Sequence, residues 1–257
     1  MSPFSLTRAL LVSDEDGYRR ATQSDFLRLA ANGQASKDIV GKWLGNDRLY
    51  IHSYVRGVGR LISFLQFPDT ALRQNDDPDS ATKLLDWLVG ALVNVRREEK
   101  FFLETAARYD IQINLQTQDD GRVPQNAKLE GLRRWEALFD SLAPTKDSNI
   151  SWLEAAVVYW GTEKCYLDAW SWAKAQLTAQ KDAKEDADGG ALRNEFIDNW
   201  TSQEFVEFVD GLGAIIDEAV AKYVEQGGEA AKQELLKRAE VKWREILFAE
   251  EAFWPNM

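Results

Sequence analysis

The residues best suited to chemistry in this sequence are carboxylates set among aromatic side chains. One such stripe has members spaced by four, three and four residues: Trp43, Asp47, Tyr50 and Tyr54. On an α-helix this spacing places all of them on one face. A carboxylate inside an aromatic stripe needs a partner, because an unpaired buried charge is unfavourable. Asp47 is therefore expected either to pair with an arginine, such as Arg48 or Arg56, or to bind a ligand carrying amidine-like donors.

Two further stretches have the same character. In the first, a carboxylate again shares a helical stripe with rings: Tyr159, Glu163, Tyr166 and Trp170. In the second, Glu250 lies about one helical turn before Trp254. A single stripe of this kind is usually core, but three on different helices predict a common cavity. The stretch 96–104 also interleaves acidic and apolar residues, and most of its charges are expected on a solvated face.

Other catalytic arrangements find little support. His52 is the only histidine and Cys165 the only cysteine, so paired-histidine and cysteine-cluster metal motifs cannot be built. No glycine-bounded elbow surrounds a serine, and no glycine-rich loop links a strand to a helix. Counting alone leaves haem ligation by His52 open, although an isolated helical imidazole is more often structural. We expect neither a metal nor an organic cofactor.

The elements that must position these residues are predicted to be helices. Apolar residues recur at intervals of three and four between the six prolines, and no stretch shows sustained period-two alternation. Ser36, Ser80, Ser148 and the sequence Thr201–Glu204 are expected to cap helices. We predict an all-α fold in which residues 1–257 form a single domain, with an N-terminal extension at 1–14 and a charged loop at 181–190.

Composition limits the classes of partner. Hydrophobic residues make up 45% of the 257 residues, which is enough for a sizeable core. The formal net charge of −11 argues against nucleic acid, because phosphate binding requires clustered lysine and arginine. No segment has the uncharged length needed to span a bilayer, and a lone cysteine cannot form an intrachain disulfide. We expect a cytoplasmic protein without a membrane or nucleic-acid partner; a homo-oligomer is left open.

The motifs resemble those of the TenA (thiaminase II) family, helical proteins of the haem-oxygenase-like fold that cleave or deaminate the pyrimidine half of thiamin. The similarity includes Phe26 and Gly33, then Asp47 to Tyr50, and ends in the Glu-x-x-Phe-Trp motif that begins at Glu250. It implies a multi-helical bundle around a central cavity. It also implies that Asp47 binds the amino group of an aminopyrimidine, that Tyr50 lines the pocket, and that Glu250 is the catalytic acid.

The sequence departs from the family at two positions. The cysteine-bearing branch has a Pro-Cys pair early in its fifth long helix, whereas this sequence has Ala155–Trp160 there. The later pocket tyrosine is replaced by Trp200. Branches without the cysteine use carboxylates instead, and Glu163 is the candidate for that substitution. If carboxylates do the chemistry, Cys165 should contribute little, since a buried free cysteine usually behaves as a small hydrophobe.

The resemblance implies a C–N hydrolase acting on thiamin-derived aminopyrimidines, which are small heterocycles. Glu250 and Glu163 are the expected catalytic groups, and the substrate-binding residues are expected to be Asp47, Tyr50, Tyr54, Tyr159, Tyr166, Trp200 and Trp43. The first alternative is a non-catalytic protein of the same fold that binds a small heterocycle. The second is an oxygenase-like relative such as the pyrroloquinoline quinone synthesis protein C, although its histidine-rich site is missing here.

Overall fold

A computed structural model of the protein describes residues 4–70, 77–145, 150–177 and 182–256. Within these ranges there are no strands, and the all-α prediction is confirmed. The α-helices, in chain order, are α1 Leu6–Ser13, α2 Glu15–Thr22, α3 Asp25–Ala31, α4 Lys37–Ser63, α5 Ser80–Arg108, α6 Glu130–Asp140, α7 Leu153–Ala175, α8 Ile197–Trp200 and α9 Gln203–Glu251. Short 3₁₀ turns occur at 125–127 and 183–185, and a π-helical turn at 192–196 leads into α8.

Side-chain caps fix where several helices begin. The Ser36 hydroxyl accepts from the Ile39 amide at the start of α4, as predicted. Helix α5 is capped by Asp79 rather than by Ser80, which is its first residue. Helix α9 is capped by Ser202, which lies within the predicted capping sequence Thr201–Glu204. The predicted cap at Ser148 lies outside the described residues.

The long helices α4, α5, α7 and α9 surround the centre of the molecule, and α7 and α9 pack along one another. The Tyr159 hydroxyl of α7 reaches the backbone of α4 beside Gly57, where a Cβ would lie 2.5 Å from that hydroxyl. That space allows Tyr159 to donate a 3.0 Å hydrogen bond to the backbone oxygen of Tyr54. Helix α9 is interrupted by Gly228, whose φ of 67° is a left-handed conformation that glycine adopts without strain.

The predicted N-terminal extension and charged loop contact the rest of the bundle where they are described. Leu6 and Leu10 of α1 are fully buried, and Asp217 of α9 accepts hydrogen bonds from Ser5 and Thr7. In the charged segment, Asp186 is buried in a 2.9 Å ion pair with Arg193. Only residues 182–190 of that segment are described. Both segments therefore pack as parts of the bundle where they are described.

No helix in the described ranges combines the length and apolar character needed to cross a membrane.

Candidate functional site

Four helices bring carboxyl and aromatic side chains to one small enclosed cavity, which we call the inner pocket. Its volume is about 40 Å³, which is room for very few water molecules. The residues that line it are Asp47, Tyr50 and Tyr54 from α4, Val95 and Glu98 from α5, Thr162, Glu163 and Tyr166 from α7, and Phe205 from α9. Five of the residues expected at the site therefore share this pocket: Asp47, Tyr50, Tyr54, Glu163 and Tyr166.

Asp47 has a tyrosine as its partner, not an arginine. The Tyr166 hydroxyl donates a 2.8 Å hydrogen bond to Asp47 Oδ2. Arg48 instead pairs with Glu99 at 3.1 Å. Burial raises the pKa of Asp47 well above its usual value, repulsion by Glu98 adds to the rise, and the Tyr166 hydrogen bond opposes it. Asp47 is thus a buried carboxyl group at the wall of the inner pocket, and none of the described lysine or arginine residues forms an ion pair with it.

Glu163 is held by the other tyrosine of the α4 stripe. The Tyr54 hydroxyl donates a 2.7 Å hydrogen bond to Glu163 Oε1. Removal from bulk solvent raises the pKa of Glu163 to about 8, an effect that the Tyr54 hydrogen bond opposes and repulsion by Glu98 strengthens. Beside this pair, the Tyr50 hydroxyl and Thr162 Oγ1 are 2.7 Å apart. The pocket therefore contains a positioned carboxyl group that is protonated at neutral pH.

Glu98 is the pocket residue that sequence reasoning missed, because most of the charges in its stretch were expected on a solvated face. Its Oε1 accepts a 2.5 Å hydrogen bond from the Trp200 indole. Burial raises the pKa of Glu98 to about 7, while the Trp200 hydrogen bond and the charge of Arg97 oppose the rise. The signal was present in the sequence: Glu98 lies three residues after Val95 and four before Phe102, both of which are buried.

A larger cleft adjoins the inner pocket, and we call it the outer cleft. Its volume is about 240 Å³, and Val95, Glu98, Glu163 and Phe205 line both cavities. The other lining residues are Asn94, Arg97, Phe101, Asn199, Trp200, Ser202, Glu204 and Phe208. Trp200, expected to replace a pocket tyrosine, thus lies on the outer cleft and reaches the inner pocket through Glu98.

Glu250 lies behind the inner pocket and lines neither cavity. It is 2% exposed, and its Oε1 has no hydrogen-bond partner among the described residues. Burial raises the pKa of Glu250 well above its usual value, and repulsion by Asp47 and Glu163 adds to the rise, while the Trp135 side chain opposes it. A buried acid with an oxygen that lacks a hydrogen-bond partner among the described residues is costly, which favours a functional reason for its presence.

Two residues expected to bind substrate are structural in their contacts. Tyr159 is fully buried and its hydroxyl donates to the backbone of α4. Trp43 is fully buried in a cluster of rings, 5.6 Å from Trp200 and 5.5 Å from Trp170. Neither lines the inner pocket or the outer cleft. They support the walls of the site from behind.

The histidine and the cysteine lie outside both cavities. His52 Nε2 is 3.0 Å from Glu99 Oε1, on a partly exposed surface between α4 and α5. Burial alone would raise the pKa of Glu99, but the hydrogen bond and charge of His52, with Arg96 and Arg48, lower it. Cys165 is fully buried, and burial raises the pKa of its thiol well above the usual value. A reactive thiolate is therefore disfavoured at this position.

No cluster of three or more histidine, cysteine, aspartate or glutamate side chains in the described ranges has an arrangement that could hold a metal ion.

Comparison with known proteins places this geometry in a known fold. The chain matches a TenA homologue from Pyrococcus furiosus with a TM-score of 0.68 and 22% identity, covering 97% of this chain and 98% of that one. It matches a TenA family transcription regulator from Silicibacter sp. TM1040 with a TM-score of 0.63 and 11% identity, over 99% of both chains. The protein therefore has the helical fold of the TenA proteins, as the sequence motifs indicated.

The sequence similarity to known proteins is low. No family model matches the chain. A probable transcription factor from Fusarium pseudograminearum (strain CS3096) is 26% identical over 255 residues, which cover 89% of this chain and 48% of that protein. The chain thus spans about half the length of this curated relative.

Proposed function

We propose that the protein is a TenA-like C–N hydrolase acting on thiamin-derived aminopyrimidines. The observation that carries the proposal is the pairing of Asp47 with Tyr166 at the wall of the inner pocket, beside the Tyr54–Glu163 pair. One carboxyl group is thereby available to bind a nitrogen heterocycle, and a second is available to transfer a proton. Both are held by tyrosine hydroxyl groups on neighbouring helices.

Binding of an aminopyrimidine fits the chemistry of the inner pocket. The amino group of an aminopyrimidine donates to a carboxyl oxygen, and the neighbouring ring nitrogen accepts from a carboxylic acid O–H. Burial raises the pKa of Asp47 well above its usual value, which favours the acid form that offers both. The rings of Tyr50 and Tyr54 lie 6.0 Å apart and supply flat apolar surface for the heterocycle. The inner pocket has a volume of about 40 Å³, which is small for a heterocycle. The ligand must therefore also occupy part of the outer cleft or displace side chains that line the inner pocket.

Glu163 is the group we assign to proton transfer. In C–N hydrolysis, water forms a bond to carbon through its oxygen while the C–N bond breaks and the leaving nitrogen takes a proton. A neutral Glu163, with a pKa of about 8, gives its proton to that nitrogen, and the resulting carboxylate takes one from the attacking water. Each turnover thus consumes one water and restores the acid form.

Glu250 is assigned a positioning role rather than contact with substrate. It is buried behind the pocket, and its charge would repel those of Asp47 and Glu163. Like-charged carboxyl groups in one site resist ionising together, so Asp47 and Glu163 help to keep Glu250 in its neutral acid form. This modifies the expectation that Glu250 donates the proton directly.

A second candidate is a protein that binds the same heterocycle without converting it. The observation in its favour is the placement of Cys165, which is fully buried and lines neither cavity. Two proteins similar to this chain are described as a probable transcription factor and as a transcription regulator, and ligand sensing would suit such roles. The net charge of −11 does not favour direct contact with DNA by this chain.

One experiment separates the candidates. Purified protein is titrated with thiamin and with its aminomethyl-pyrimidine fragment in a calorimeter, and the same mixtures are analysed for hydrolysis products by mass spectrometry. If the wild-type protein binds the compound and forms product, and Glu163→Gln forms none, the result supports the hydrolase. Binding without product supports the second candidate. Absence of both binding and product contradicts the assignment of an aminopyrimidine ligand.

A further inference from the structure

We infer that the exposed side of α4 is a docking surface for an acidic helical segment of a partner protein. The surface, which we call the basic stripe, consists of residues spaced by four along α4: Arg48, His52, Arg56 and Arg60. Side chains at this spacing lie on successive turns, so they form one line about 18 Å long. The stripe lines neither the inner pocket nor the outer cleft, and the inference does not rest on the proposed function.

The charge of the basic stripe is the first reason. The chain has a formal net charge of −11, yet residues 48–63 contain no aspartate or glutamate. Glu99 of α5 pairs with the first two members of the stripe, and Asp140 of α6 lies 3.3 Å from the last. Arg56 is exposed and forms no ion pair with any described residue. The stripe is therefore a positive surface on an acidic protein, and it complements a row of carboxylates.

An exposed glycine on the same face is the second reason. Gly59 lies seven residues after His52, which is close to two full turns of the helix. Glycine inside a helix is less favourable than alanine. A Cβ on Gly59 would meet no atom within 4 Å, so packing in the described part of the chain does not require glycine there. Bare backbone at this position allows a partner to approach the helix closely.

The neighbouring helix α5 adds an apolar part to the surface. Val89 and Val93 are 51% and 64% exposed, and with Arg96 they follow one another at intervals of four and three, on one face of α5. Arg96 pairs with Glu99, the same carboxyl group that His52 contacts, so this face adjoins the basic stripe. A helix with carboxylates on one side and apolar side chains on the adjoining side matches both parts of the surface.

Other occupants match the surface less well. A second copy docking through the same face would set arginines against arginines, because residues 48–63 supply no carboxylate. A nucleic acid or an anionic membrane would meet the net charge of −11 around a single narrow stripe. An acidic helix needs to cover only a few turns of α4 and the two valines.

The test uses two synthetic helical peptides about five turns long. One carries glutamate along one face and leucine along the adjoining face, and the other has glutamine in place of each glutamate. Binding of the fluorescently labelled peptides is followed by anisotropy with wild-type protein and with Arg56→Gln and Val93→Ser. Arg19→Gln is the matched control, because Arg19 is an exposed arginine on α2 and its loss changes the net charge equally. Circular dichroism and thermal melting confirm that each variant is folded.

Wild-type protein should bind the glutamate peptide about tenfold more tightly than the glutamine peptide. Arg56→Gln should reduce this preference about threefold, which is typical of one exposed ion pair, and Arg19→Gln should keep it. Val93→Ser should weaken binding of both peptides, because both carry leucine. Equal binding of the two peptides by wild-type protein, or equal losses in Arg56→Gln and Arg19→Gln, overturns the inference.

Gly59→Gln separates docking from stability. Glutamine favours the helix over glycine, so the melting temperature should not fall, while the added side chain should weaken binding of the glutamate peptide. Unchanged binding in this variant contradicts close approach at Gly59. Binding to phosphatidylserine vesicles in place of the glutamate peptide would assign the surface to a membrane. Self-association that is lost in Arg56→Gln would assign it to a second copy, and either result overturns the inference.

Discussion

Asp47 on α4 and Tyr166 on α7 are 119 positions apart in the sequence, yet their side chains are joined by a 2.8 Å hydrogen bond at the inner pocket. The bond holds Asp47 Oδ2 in a fixed direction and opposes the rise that burial causes in its pKa. Removing the hydroxyl leaves a buried carboxyl group that has lost its partner. Ligand binding at the proposed site should therefore weaken when the Tyr166 hydroxyl oxygen is removed.

We expect Tyr166→Phe to weaken binding of an aminopyrimidine about tenfold, because leaving a buried carboxyl oxygen without its hydrogen bond costs free energy on that scale. The measurement is a calorimetric titration with the aminomethyl-pyrimidine fragment of thiamin. Tyr223→Phe is the matched control, since Tyr223 lines a separate surface cavity beside Trp152. Unchanged affinity in Tyr166→Phe would contradict the role given to the Asp47–Tyr166 pair.

We expect Glu163→Gln to lower kcat by about a hundredfold or more, which is typical for loss of a general acid. The pH profile gives an independent test: with a pKa of about 8, Glu163 loses its proton as pH rises, so kcat should fall through that region. Glutamine does not titrate, so the residual activity of Glu163→Gln should not fall as pH rises. Glu104→Gln is the matched control and should behave as wild type, since Glu104 is exposed on α5. If the activity of Glu163→Gln still falls at high pH, another group causes the fall.

We expect Cys165→Ala to leave kcat nearly unchanged, because the thiol is fully buried and lines neither cavity. The substitution removes only a sulfur atom from the core, so the melting temperature should fall modestly. Turnover is measured per folded molecule to separate the two effects. Loss of activity at full folding would show that the thiol takes part in the chemistry, and the carboxylate mechanism would be wrong.

We expect the free energy of unfolding to fall as pH rises from about 4.5 to about 8, the interval between the ordinary and the raised pKa of Glu163. In that interval the folded protein keeps a proton that the unfolded chain releases, so higher pH favours unfolding. Glu98 contributes in the same direction up to about pH 7.

Thermal melting of wild-type protein and of Glu163→Gln across this interval measures the effect. The variant should lose less stability on going to high pH, because glutamine has no proton to release. Glu104→Gln should follow the wild-type curve. Parallel curves for wild type and Glu163→Gln would show that the Glu163 carboxyl group is not protonated in the folded protein at neutral pH.

Helical periodicity in the sequence is sufficient to predict the all-α fold and one face of the site. Because a helix turns by roughly 100° per residue, intervals of three and four place Asp47, Tyr50 and Tyr54 on one side of α4 whatever surrounds that helix. The same reasoning put Glu163 and Tyr166 together on α7. These are local relationships, and the backbone geometry of a single helix is sufficient to fix them.

Which residues meet across helices depends on how the helices pack against one another. Glu98 and Glu99 are adjacent in sequence, but Glu98 lies at the pocket while Glu99 pairs with Arg48 and His52. Trp43 shares the α4 stripe with Asp47 yet packs into a cluster of rings behind the site. The rotation and crossing of packed helices depend on contacts between residues distant in sequence, so periodicity along one helix cannot determine which face reaches the cavity.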